Sequence, residues 1–122
     1  MRRTILTLAA LLAMAAPAAA QGGATSANGV EACQRAGLLE AAFTSNARRG
    51  GGFTYNVDLT NPGVAPVRYT LSFTASGLPN AVSNKQGAVG AGARVRHELA
   101  GGADNLTERT MRSLTWVRCS PL

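Results

Sequence analysis

The side chains able to do chemistry are few and scattered. His97 is the only histidine, Cys33 and Cys119 are the only cysteines, and six acidic residues are spread over 122 positions. Acid–base catalysis and metal binding need several such groups close together, and no His-rich, Cys-rich or paired-acid cluster occurs in the chain. Serines and aspartates are present, so a Ser-His-Asp set is not excluded by counting. The Gly-x-Ser-x-Gly nucleophile elbow is nonetheless missing. Gly87-Ala88-Val89-Gly90-Ala91-Gly92 lacks both the lysine and the following helix of a phosphate loop and reads as a connection between strands. His97 falls on the inward parity of a strand, which suits a hydrogen-bonded, partly buried imidazole. The census points to a protein that is not an enzyme and holds no metal or cofactor.

Cys33 and Cys119 bracket the region that looks folded. In an exported chain two such cysteines are expected to form a disulfide. That bond would bring the first and last strands together, and closing so long a loop stabilises by about 4 to 5 kcal/mol on a chain-entropy account.

With catalysis unsupported, surfaces remain. Arg94 and Arg96 share one parity of a late strand, and Arg112, Trp116 and Arg118 share one parity of the last. If those strands are neighbours, the five residues form a basic patch around the sole tryptophan, a composition typical of binding hot spots. The competing reading puts Trp116 in the core, where large aromatic side chains usually sit, and leaves the arginines solvated.

The elements that must carry these residues are β-strands. Arg2 and Arg3, an apolar run from Ile5 to Ala16 and Ala18-Ala19-Ala20 form the three parts of a Sec-type bacterial signal peptide over residues 1–20. The triplet Asn105-Leu106-Thr107, a glycosylation signal elsewhere, is then a chance match. The expected mature chain starts near Gln21, with a Gly/Ala/Ser/Asn leader over 21–29 and one domain over 30–122. Localisation would be periplasmic or secreted, with no stable membrane insertion. Without Arg2 and Arg3 the charge is ten basic against six acidic residues. This mild excess, with no dense basic stripe, argues against a nucleic-acid protein.

Residues 53–75 hold the clearest signal. Phe53, Tyr55, Val57 and Leu59 alternate with Thr54, Asn56, Asp58 and Thr60. After Asn61-Pro62-Gly63-Val64-Ala65-Pro66, Val67, Tyr69, Leu71, Phe73 and Ala75 share the inward parity. Period-2 patterning with polar partners marks antiparallel strands with one wet face. The pair reads as a central hairpin, although a six-residue connection also lets the second strand cross to another sheet. Further strands are expected over Leu38–Thr44, Ala93–Leu99 and Met111–Cys119, the last with a bulge or with two apolar faces. Val30–Gly37 reads as a short strand or one helical turn, and Ala81–Val89 as a weak edge strand or a loop. Six or seven short strands fit an all-β, immunoglobulin-like or fibronectin-III-like sandwich, with a small barrel as the alternative.

Cys33, Tyr69-Thr70-Leu71-Ser72, Ser83-Asn84-Lys85-Gln86-Gly87 and Cys119 form a frame that resembles the small periplasmic curli-accessory proteins of alphaproteobacteria. The resemblance implies an immunoglobulin-like sandwich that restrains premature assembly of amyloidogenic curli subunits, and hence a protein partner. Two other classes fit the same residues: a structural or adhesive envelope module that binds a protein or glycan, and an inhibitor presenting the loop from Gly87 to Gly92.

Overall fold

The computed structural model describes residues 26–122. The expected signal peptide and the leader as far as Thr25 lie outside the described residues. The rest forms two antiparallel sheets packed face to face. One has four strands: β1 (Ala27–Asn28), β7 (Thr115–Pro121), β4 (Val67–Phe73) and β5 (Lys85–Val89), in that order. The other has three: β2 (Glu40–Ala47), β3 (Phe53–Thr60) and β6 (Arg94–Gly102). Two short helices complete the fold, α1 (Val30–Arg35) and α2 (Glu108–Leu114). This is the all-β sandwich expected from the strand pattern.

The alternation of residues 53–75 is seen in the burial. Tyr55, Val57, Leu59, Val67, Tyr69, Leu71 and Phe73 are all buried between the sheets. Their pairing corrects the hairpin. β3 pairs with β2 and β6, whereas β4 pairs with β5 and β7, so residues 61–66 carry the chain from one sheet to the other. Asn61 explains this. It is buried, its side-chain amide donates to the carbonyls of Ala65 and Val89, and its side-chain oxygen accepts from the Gly63 N–H. Its backbone N–H and C=O bond Ala93 and Gly92. One residue thus ties the crossover to the β5–β6 turn.

The last expected strand is corrected too. Met111–Leu114 belongs to α2, and only Thr115 onward is strand. The Thr107 hydroxyl caps the helix by accepting from the Thr110 N–H, an arrangement that satisfies an otherwise unpaired donor. Helical spacing of Met111 followed by strand alternation of Thr115, Val117 and Cys119 produces the mixed parity that looked like a bulge. A register shift does occur elsewhere, between Tyr55/Ala100 and Asn56/Glu98, leaving Leu99 without a partner on β3. Its carbonyl accepts instead from the Val82 N–H.

Val30–Arg35 is helical, which resolves the first ambiguity, and Cys33 in it is joined to Cys119 by a disulfide. Ala27 and Asn28, read as leader, pair with Cys119 and Arg118. Lys85–Val89 is the edge strand of the four-stranded sheet. None of the helices among the described residues is long and apolar enough to cross a membrane.

The two sides of the sandwich are closed differently. On the side of β1, β7 and β2, both helices pack over the strands. Arg112 reaches from α2 to the Ala41 carbonyl, to Glu108, Gln34 and Glu31, and lies over the Phe43 ring. On the side of β5 and β6, small staples do the work. Val82 bonds both Phe73 and Leu99 through its backbone, Tyr69 on β4 meets His97 on β6 at 2.5 Å, and Asn61 holds the far end. Two tyrosines lie where a glycine leaves room. A Cβ at Gly87 or at Gly102 would sit 2.5 Å from the hydroxyl of Tyr69 or Tyr55 respectively.

Candidate functional site

The two outer faces can be read residue by residue from the strand registers. On the three-stranded sheet, Glu40, Thr60 and Arg94 form one cross-strand row, Ala42, Asp58 and Arg96 the next, and Thr44, Asn56 and Glu98 the third. This face carries three acids and two arginines. Arg96 holds Asp58 through two bonds of 2.8 and 3.0 Å. That bond, with the charges of Arg96 and Arg94 and against a smaller cost of burial, lowers the Asp58 carboxyl below its ordinary range. The face neutralises itself.

On the four-stranded sheet the rows are Asn28, Arg118, Thr70 and Gln86; Trp116 and Ser72; and Ser120, Arg68 and Ala88. No outward side chain of these strands is acidic. Arg68 and Arg118 are exposed, and Trp116 is half-buried. The Arg118 guanidinium lies 5.7 Å from the centre of the Trp116 ring, a cation–π arrangement, and its Nε donates to Asn28 at 3.2 Å. Arg68 makes no ion pair among the described residues. Beside it the small side chains of β5 leave a cleft of about 530 Å³ lined by Arg68, Thr70, Gln86, Ala88 and Leu122.

The expected five-residue patch is therefore divided. β6 and β7 lie in different sheets, so Arg94 and Arg96 occupy one face, and Trp116 and Arg118 the other. Arg112 belongs to neither, being spent on the α1–α2–β2 network. Trp116 is not part of the core cluster. Its side chain points outward because Thr115, Val117 and Cys119 take the inward parity of β7. Arg68 was missed by the sequence reading, although its outward parity on β4 was plain. Finding it required knowing that β4 pairs with β7.

His97 is taken up by the fold. Burial, with the nearby charge of Lys85, lowers its pKa, and burial raises that of Tyr69. With the imidazole neutral and Nε2 bare, the Tyr69 hydroxyl donates to it; His97 is half-buried between the sheets, and Tyr69, though buried, also lines the cleft beside Arg68. No family model, curated protein or solved structure matches the chain.

Proposed function

We propose that the chain is an exported, non-enzymatic binding module of the bacterial periplasm that receives an extended segment of a partner protein at its free β5 edge. The observation that carries this is the position of β5. It ends the four-stranded sheet on the side that no helix covers, and only Lys85 at its start bears a charge, so over Gln86–Ala88 the backbone groups that face away from β4 are open to another strand, up to Val89, whose carbonyl is taken by Asn61. Such an edge can pair with a strand of another chain. The engagement of His97 by Tyr69 supports the non-enzymatic part of the reading, and the disulfide supports export, since such bonds persist in oxidising compartments.

The partner we infer is an amyloidogenic fibre subunit of the curli kind. A strand held on β5 is withheld from a growing fibre, and the cationic face beside β5 suits a polar or acidic client. A thioflavin assay with purified curlin tests this. Equimolar protein should lengthen the lag before fibre growth, and Q86K/A88K, which adds charge to the edge, should shorten it again. An unchanged lag with the native protein removes the proposal. The face containing Trp116 favours a second reading, an adhesive envelope module. Recovery of the same curlin subunit, or of none, in a pull-down from envelope extract separates the two.

A further inference from the structure

We infer that the outer face of the four-stranded sheet is a binding site for an acidic polysaccharide, a chain of uronic-acid sugars. The site is the surface from Trp116 and Arg118 on β7, across Thr70 and Arg68 on β4, to the cleft over Gln86 and Ala88 on β5. Neighbouring strands lie about 4.8 Å apart, so this surface spans about 10 Å from platform to cleft, room for two or three sugar rings.

Three properties converge on that ligand. The half-buried Trp116 ring lies on the outside of the sheet under the Arg118 guanidinium, with the amphipathic character that places tryptophan at interfaces; a sugar that lies on the ring would take over that contact and draw Arg118 to its carboxylate. The ring suits the apolar face of a sugar. Around it stand neutral hydrogen-bonding groups, Asn28, Ser72, Thr70, Gln86 and Ser120, which match sugar hydroxyls as donors and acceptors. The cations are both arginines, whose planar guanidinium recognises carboxylate in two-point fashion. Arg118 uses Nε on Asn28 and keeps its terminal nitrogens available; Arg68 stands at the cleft without a partner carboxylate. No outward carboxylate side chain of these strands repels an anion. A neutral glycan would leave both arginines unused. A polyglutamate would satisfy the arginines but has no ring to lie on Trp116.

The inference does not rest on strand capture. W116A should lose polyanion binding while keeping the effect on the curlin lag, because Trp116 on β7 lies away from the β5 edge, so the two readings fail separately. Trp116 is the sole tryptophan, so its fluorescence reports this face alone. Hexagalacturonate titrated in about 50 mM salt, where screening is weak, should shift that emission saturably. Maltohexaose, uncharged, should not. By calorimetry, R68Q/R118Q should weaken hexagalacturonate by about tenfold or more, equivalent to about 1.4 kcal/mol. W116A should weaken it similarly, W116F should restore part of it, and R94Q/R96Q on the opposite face should leave it unchanged. Absence of binding by the native protein overturns the inference. So does equal binding of hexaglutamate, or an equal loss in R94Q/R96Q, because either would reveal attraction by net charge alone.

Discussion

The two outer faces are built alike and charged differently. Both are the wet sides of antiparallel sheets, patterned by the same alternation. One pairs Arg96 with Asp58 across β3 and β6 and sets Arg94 among that face's three acids. The other has two exposed arginines, one stacked on a half-buried tryptophan, and no acid among its strand residues. Charge on a sheet therefore means little until the cross-strand neighbour is known. Arg96 and Arg118 are equivalent by composition and parity; Asp58 beside one and Asn28 beside the other decide which is available to a ligand.

Both faces depend on the buried layer they share. Leu71 is fully buried beneath them. A carboxylate there has no partner, which places Leu71→Asp among the most destabilising substitutions, above about 4 kcal/mol. Circular dichroism should show no cooperative unfolding transition, and a soluble, cooperative variant would contradict the assignment of the core. Arg112→Ala comes next. It removes a cation from neither face but takes four hydrogen-bonding partners and the Phe43 contact from the helical side, a loss of about 1 to 3 kcal/mol. Chemical denaturation should register that loss while polyanion affinity of the folded protein stays the same.

A smaller effect is expected from pH. The folded pKa of His97 lies below its ordinary value of 6.5, so below pH 6.5 the unfolded chain takes up a proton that the folded chain refuses. Stability is then full above pH 6.5 and declines as pH falls toward the folded pKa. Melting curves between pH 7.5 and 5 should show a decline that is shallower in His97→Gln, which can accept from Tyr69 without titrating. The smallest expected change sharpens the contrast. Asp58→Asn with Glu98→Gln should barely alter the melting temperature, since exposed ion pairs contribute little. It should nevertheless give the three-stranded face an affinity for polyanions. If heparin-resin retention is unchanged, neutralisation by acids is not what silences that face.

Much of this architecture was legible in the chain. Strict alternation in residues 53–75 announced two strands and their buried residues, because a sheet with one wet face enforces period 2. The disulfide followed from two cysteines near the ends of the folded region. Strand order was not legible, because it depends on contacts such as Asn61 with Val89 and Ala93, which couple distant loops. For the same reason the patch was assembled from arginines that the fold sends to opposite faces, and Arg68 was passed over. α2 was hidden because Met111–Leu114 is too short to display helical periodicity before Thr115 begins a strand.

The places left open for Tyr55 and Tyr69 have a consequence for how the chain tolerates change. Gly87 and Gly102 read as ordinary punctuation, among the residues that a mutational survey would expect to replace freely. Each in fact gives its space to an aromatic ring from another strand, so even alanine must displace a tyrosine hydroxyl from its partner, His97 in one sheet gap and the Asp104 carbonyl in the other. The half-buried, outward-facing Thr and Asn positions of β3 carry no such commitment. Sequence drift in this domain should therefore run along its wet strand faces and stall at two glycines whose importance lies entirely in what they lack.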